Sequence, residues 1–377
     1  NTRIMSKEKN YIKNLFKKEE KDKKEEKEEK KPKALANKEI KKLIIRTKDN
    51  DYASSNNTKM KKLLSIILLT IGMTLTVHAT DPVKQYGQLQ VKGSQLCDKK
   101  GNPVILRGVS LGWHNLWPRF YNDKIVKTLK DDWKASVVRA AMGIMIEDNY
   151  LENPTYAMQC MTPVIESAIK NNVYVIIDWH THQMKTAEAK KFFGEMAKKY
   201  GKYPHIIYEI YNEPVEDTWA SLKLYALEII TEIRKYDPNN IILVGCPHWD
   251  QDIHLVAESP LTGIKNIMYT VHFYAATHGD YLRDRMEAAV QKGIPVFISE
   301  SGATEASGDG KIDPESEEKW IQLCERLGIS WVCWSISDKN ESCSMLLPRA
   351  TATGPWADDV IKVYGKLVKN LLWKYNK

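Results

Sequence analysis

Between Val104 and Asp338 the chain alternates short, nearly continuous apolar runs with amphipathic stretches, and this alternation restricts the possible folds more than any other feature. The runs are Val104–Leu111, Val137–Ile144, Tyr174–His180, Ile206–Pro214, Ile241–Pro247, Ile267–Ala275, Pro295–Ala303 and Ser330–Asp338. Each is rich in Val, Ile, Tyr or Trp, as expected of a strand covered on both faces. Helical spacing runs through Asn122–Trp133, Tyr156–Lys170, Ala187–Tyr200, Trp219–Tyr236, Tyr281–Lys292 and Glu315–Leu327, with a last helix expected over Asp358–Tyr375. Asn122 and Pro314 suit helix starts, and Gly293 and Gly328 suit helix ends. Eight βα units predict an α/β protein built on one (β/α)8 TIM barrel. A doubly wound sheet is the rival, but the glycine fingerprint of its phosphate-binding turn is missing from the first unit. Ahead of the barrel, Gly87–Val91, Ser94–Cys97 and Asn102–Ile105 read as a small N-terminal β-hairpin, placed to plug the barrel's bottom.

The formal charge of +8 would suggest a nucleic-acid or anionic-membrane partner. All of that excess lies in residues 1–59, and the remainder is balanced, so neither partner is expected. Lys17 to Lys31 is almost pure Lys and Glu with no apolar face, and residues 1–59 read as disordered. Met60-Lys61-Lys62, the apolar stretch Leu63–Val77 and then Val77-His78-Ala79 follow the order of a signal peptide. The expectation is a true start at Met60, residues 1–59 upstream of it, a signal over 60–79, and a secreted single barrel domain over 80–377, extracellular or, in a gram-negative bacterium, periplasmic. The apolar run is short for a membrane anchor. All six cysteines fall in that domain without a CxxC spacing. Cys246 and Cys333 lie in apolar runs and read as packed small hydrophobes.

A barrel carries its site at the C-terminal ends of its strands. Ionisable and polar residues gather there: Arg139 near the end of strand two, Asp178-Trp179-His180 on three and Tyr211-Asn212-Glu213-Pro214 on four. His272-Phe273-Tyr274 follows on six, Ser299-Glu300-Ser301-Gly302 on seven and Trp334 on eight. Glu213 and Glu300 come from strands that face each other across the mouth. Paired carboxylates flanking one bond are what glycoside hydrolysis requires, and a separation of about 5 Å gives retention of configuration. Burial and the neighbouring negative charge are expected to raise the pKa of the acid.

This ordered set resembles glycoside hydrolase family 5, the endoglucanase type, from about Tyr86 to the C-terminus. Asn212-Glu213-Pro214 resembles that family's acid/base signature, and Pro295-Val-Phe-Ile-Ser-Glu300-Ser-Gly its nucleophile strand. Arg107-Gly108-Val109-Ser110, Arg139, His180, His272 with Tyr274, and Trp334 fall in order. Ser337-Asp338-Lys339-Asn340-Glu341-Ser342 resembles the loop after strand eight in the bacterial subgroup. The resemblance implies a retaining endo-β-1,4-glucanase with Glu213 as acid/base and Glu300 as nucleophile. It implies Arg139 as the neighbour and counter-ion of Glu300, Tyr274 as its hydrogen-bond donor, and Asn212 on the sugar's 2-hydroxyl. His180 and His272 would complete the network, Trp334 would floor a pyranose, and Lys339 and Glu341 would grip hydroxyls one sugar further out. His114 and Trp117 are candidates for that same end, where Trp113 competes with Trp117 for stacking. Many relatives carry Trp after the nucleophile, whereas Ser301 stands here.

Other readings stay open at this level. The same catalytic pair would also serve mannan, xylan or mixed-linkage glucan, and a barrel that binds carbohydrate without cleaving it is a further reading. His180 and His182 form an HxH pair of the kind zinc amidohydrolase barrels use, although those place it on strand one. The favoured reading needs no cofactor and no metal, and expects a monomer acting on β-glucan. Glu209, inside strand four, reads as a structural ion pair within the barrel. Most of the 11 Trp residues read as packing.

Overall fold

The computed structural model describes residues 81–376. The segment expected to be disordered and the expected signal peptide lie outside the described residues.

Two short strands, β1 (Gln90–Lys92) and β2 (Gln95–Cys97), pair antiparallel as the hairpin anticipated, with Cys97 bridged to Pro103. The barrel follows: β3 (Arg107–Leu111), β4 (Val137–Gly143), β5 (Tyr174–His180), β6 (Ile206–Glu209), β7 (Ile241–Val244), β8 (Ile267–Thr270), β10 (Val296–Phe297) and β12 (Trp331–Ile336). They form one eight-stranded sheet, and all pairings are parallel. A parallel bridge between Ile298 and Trp331 joins its two ends and closes the barrel. The sixth and seventh strands break and resume as β9 (Phe273–Tyr274) and β11 (Ser301–Gly302), which pair with each other. The breaks fall at His272 and at Ser299-Glu300. The strand expectations over 206–214, 241–247, 267–275 and 295–303 were therefore too long, because the chain leaves the ladder where its side chains turn to the site.

Side-chain alternation explains how one continuous apolar run builds two different layers. Outward residues such as Val138, Ala140, Val175, Ile177, Tyr208, Ile242 and Cys333 pack against the helices in the main core. Inward residues at the bottom (Val137, Tyr174, Ile176, Ile207, Ile241, Leu243, Met268, Phe297 and Val332) form a second apolar cluster with Leu89, Leu96, Val104 and Leu106 from the hairpin region. The hairpin thus plugs the barrel. Two residues further up, the inward series turns polar on five of these strands, at Arg139, Asp178, Glu209, Thr270 and Ser299, while Gly245 and Trp334 stand at that level on the other two.

The helices follow the expected order with shifted ends. Helix α1 (Pro82–Tyr86) precedes the hairpin, and α2 (Ile125–Trp133) starts after Asn122, whose Oδ1 accepts from the Ile125 amide at 3.1 Å. Then come α3 (Pro154–Asn171), α4 (Thr186–Tyr200) and α5 (Trp219–Arg234). A short α6 (Ile253–Glu258), for which the sequence offered no clear pattern, precedes α7 (Asp280–Gln291) and α8 (Pro314–Leu327). Asp313 caps α8 and Gly328 ends it at φ 72°. The last helix, α9 (Val363–Tyr375), begins later than Asp358, because Ile361 bridges to Leu346 and the Lys362 amide donates to the Met345 carbonyl. All six cysteines are buried and unpaired. Among the described residues no helix is long and apolar enough to cross a membrane.

Candidate active site

Arg139 is the hub. It stands third in β4 rather than at the strand's end, points up the barrel axis, and is completely buried. Its Nε and Nη2 donate to the two oxygens of Glu209 at 2.7 and 3.2 Å. Nη2 also donates to Asn212 Oδ1 at 2.6 Å and lies 3.0 Å from Asp178 Oδ2, while Nη1 donates to Glu300 Oε2 at 2.9 Å. Burial alone would push Glu209 up, but the charge and hydrogen bonds of Arg139 outweigh it and hold that carboxyl at about 2. Glu209 is thus the structural pair anticipated. Asp178 responds the other way: burial lifts it well above the usual carboxylate range despite Arg139.

Glu300 is fixed from both sides, by Arg139 on Oε2 and by the Tyr274 hydroxyl, which donates to Oε1 at 2.7 Å. Burial and the charge of Glu300 hold Tyr274 far above the usual phenol range, so it remains a donor. Glu213 faces it, and one carboxylate oxygen from each lies within 4.8 Å of the other and of a His272 nitrogen. His272 Nδ1 lies 3.0 Å from Glu213 Oε1, its Nε2 lies 2.9 Å from Ser299 Oγ, and His182 Nδ1 lies 3.5 Å from Glu213 Oε2. Burial would discharge His272, but the Asp250 charge and the bonds to Glu209 and Glu213 overcome it and raise its pKa well above the ordinary value. This reverses the expectation for Glu213. Burial pushes its carboxyl up, yet the His272 hydrogen bond and charge bring it below its ordinary value. With both imidazole nitrogens engaged inside this network, the trio forms an ion-pair cluster rather than a set of free metal donors.

His180 stacks on Trp334, with ring centroids 5.1 Å apart and planes 14° apart, and its Nδ1 lies 2.7 Å from Asp178 Oδ2. Burial, helped by the Arg139 charge, lowers it to about 3, so the ring is neutral. Its HxH partner His182 turns to Glu213, and among the described residues these two share no third donor.

A cleft of about 680 Å³ opens over this cluster. Trp113, Trp117, Leu116 and Ile146 line it together with Trp334, Lys339 and Glu341, and His248 and Trp249 also face it. Trp113 and Trp117 both reach the cleft, so the competition between them has no single winner. Lys339 and Glu341 ion-pair with each other at its edge. His114 does not belong. It is fully buried, its Nδ1 accepts from the Gly143 amide at 2.9 Å, and burial lowers it to about 4. Its role is to hold the turn after β4. Ser301 points away from the cleft, donating to the Val332 carbonyl at 3.0 Å, so an aromatic side chain could not be housed there without displacing strand eight. His182, His248, Trp249 and Asp250 had no assigned role in the favoured sequence reading. They follow strand ends in loops whose course no local pattern reveals.

A (β/α)8 barrel with a buried pair of opposed carboxylates at its mouth, under an aromatic-lined cleft, is the architecture of a retaining glycoside hydrolase. Comparison with known proteins agrees. The family described as cellulase, glycosyl hydrolase family 5, matches residues 97–340. An endoglucanase of Clostridium saccharobutylicum is 41% identical over 323 residues, covering 82% of this chain and 72% of that one. The catalytic domain of Thermobifida fusca endoglucanase Cel5A superposes with a TM-score of 0.74 at 36% identity, covering 78% of this chain and 99% of that one. A Cytophaga hutchinsonii structure superposes with a TM-score of 0.76 at 45% identity, covering 78% and 97%. The chain belongs to glycoside hydrolase family 5.

Proposed function

We propose that the chain is a retaining endo-β-1,4-glucanase with Glu300 as nucleophile and Glu213 as acid/base. The observation that carries this is the approach of their carboxylates to within 4.8 Å, too close for an attacking water between carboxylate and sugar. Support for β-glucan as substrate comes from the endoglucanase relatives and from a variant of the Thermobifida domain solved with cellotetraose.

In the first step Glu300, aimed by Arg139 and Tyr274, attacks the anomeric carbon as the glycosidic C–O bond breaks. Glu213 gives its proton to the departing oxygen. That proton is held in the His272–Glu213 pair and moves from Nδ1 to Oε1 as substrate displaces water from the cleft. In the second step a water, deprotonated by Glu213, attacks the glycosyl–Glu300 ester and releases the sugar with its original configuration. Asn212, its Oδ1 held by Arg139, turns its amide to the 2-hydroxyl. Neutral His180 offers Nε2 to a sugar hydroxyl, and Trp334 packs under the ring. Trp113, Trp117, Lys339 and Glu341 hold sugars further along. The chain is proposed to act as a monomer, and size-exclusion chromatography would test that. Export through the segment 60–79 is part of the proposal; a secreted protein whose intact mass starts well before Thr80 would defeat it.

The deciding experiment incubates residues 80–377 with carboxymethylcellulose, mixed-linkage β-glucan, mannan and xylan while reducing ends and viscosity are followed. Rapid viscosity loss on the cellulose derivative, abolished in Glu300→Gln and unaffected by EDTA, is expected. Cleavage of mannan or xylan alone would overturn the substrate, and full activity in Glu300→Gln would overturn the nucleophile.

A further inference from the structure

Strand β7 runs into a hook in which three consecutive residues, His248 (φ 60°), Trp249 (φ 53°) and Asp250 (φ 58°), are left-handed. Residues with a Cβ avoid that region, and a run of three persists only where the surroundings impose it. The imposing group is the Asp250 side chain, which is completely buried. Its Oδ1 accepts from the Cys246 amide at 2.6 Å and its Oδ2 from the Thr270 hydroxyl at 2.8 Å. A second tie comes from the Trp249 amide, which donates to the carbonyl of Pro214, the residue after Glu213, at 2.9 Å.

The two sides of the hook face different parts of the site. Outward, His248 and a 40% exposed Trp249 form part of the cleft wall. Inward, Asp250 Oδ2 lies 3.4 Å from His272 Nε2. His272 is also faced by Glu209 Oε1 at 3.6 Å, Ser299 Oγ, Glu213 Oε1 and the charge of Glu300. Asp250 is faced by His272, Thr270, Cys246 and the charge of Glu213; burial lifts its carboxyl well above the ordinary range, against the opposing pull of the His272 charge and the Thr270 hydrogen bond.

We propose that Asp250 is a positioning residue for the hydrolysis, one carboxyl group that holds the Trp249 wall in place and, through His272, retains the proton destined for Glu213. This rests on the assignment of Glu213 as acid/base. Asp250 and His272 thus contend for one proton across the 3.4 Å between Oδ2 and Nε2, and while the carboxylate form of Asp250 holds it on the imidazole, Nδ1 keeps a proton facing Glu213. Without that charge the pair surrenders its proton at lower pH, while an intact hook leaves substrate binding unaltered.

Asp250→Asn retains an oxygen for the Cys246 amide or the Thr270 hydroxyl and removes the charge. Its KM on cello-oligosaccharides is expected to stay near wild type, while the alkaline limb of kcat/KM moves down by about one pH unit. Asp250→Ala frees the hook as well, so KM rises several-fold on top of that shift. Thermal unfolding checks that each variant folds. Should neither fold, Thr270→Val, which removes one bond to Asp250, is expected to move the same limb downward by a smaller amount. Folded Asp250 variants with wild-type KM and an unmoved alkaline limb would overturn the proposal, whatever their melting temperature, as would an unmoved limb in Thr270→Val if it is the only one to fold. Glu213→Gln run in parallel separates the two ideas. Full activity there sinks the acid/base assignment, whereas an inactive Glu213→Gln beside unmoved Asp250 variants defeats the role of Asp250 alone.

Discussion

At the residue scale, charge burial is concentrated on Arg139. One guanidinium serves Glu209, Asp178, Asn212 and Glu300, a task that needs a planar fork and not merely a positive charge. Arg139→Lys is therefore expected to lower kcat about a hundred-fold and to cost roughly 3 kcal/mol of stability, because an ammonium leaves buried carboxylates unpaired. Kinetics and denaturant titration of the same variant check both numbers. Equal activity would mean that charge alone orients Glu300. Glu317 is the opposite case. It is completely buried in α8, neither carboxylate oxygen has a hydrogen-bond partner, and burial raises it from 4.5 to about 8. An acid raised on folding binds more protons folded than unfolded across that interval. Its contribution is thus fully present below its ordinary pKa and is lost as pH climbs through about 8. Glu317→Gln should melt progressively higher relative to wild type as pH rises from about 5 to about 9. A constant difference would show that the carboxyl is not titrating there.

At the scale of elements, strand interiors admit almost no tolerance. Gly108 in β3 sits where a Cβ would come within 1.7 Å of the Val137 carbonyl, the register partner of Gly108 in β4. Gly108→Ala forces the first two barrel strands apart, and a loss of at least about 3 kcal/mol is expected in chemical denaturation. A fully stable variant would mean that the strands can slide. The same tightness explains what the sequence discloses. All eight strands are visible as apolar runs because both faces are covered. The site is visible because Arg139, His180, Glu213, His272, Glu300 and Trp334 interrupt those runs. Apolar continuity fails as a guide past the last ladder bond, so the runs holding Glu213, His272 and Glu300 look longer than the strands are. It also says nothing of loop residues, and for that reason Asp250 and Trp249 stayed hidden and His114 was misplaced. His114 is polar and follows a strand, as a site residue would, yet its ring turns into the protein to accept from the Gly143 amide. Direction at a strand end is set by tertiary packing and leaves no local signature.

At the scale of the whole molecule, the barrel separates stability from catalysis along its axis. The inward side chains are apolar at the bottom, ionisable at the middle and open to the cleft at the top. The hairpin seals the bottom, where Leu89, Leu96, Val104 and Leu106 meet inward residues of seven strands. Cutting a methyl-bearing side chain from this plug removes contacts on several strands at once, and the barrel floor has little freedom to collapse around the gap. Leu96→Ala should therefore cost about 2–4 kcal/mol and lower the melting temperature by several degrees. The site lies at the other end of the strands, beyond the rigid layer built on Arg139 and Glu209, so kcat and KM at moderate temperature should stay at wild-type values. Thermal melts paired with kinetics on soluble β-glucan test the two halves together. A large loss of kcat at temperatures where the variant is fully folded would mean that the plug transmits its packing through the polar layer, and that the two ends of the barrel are not independent.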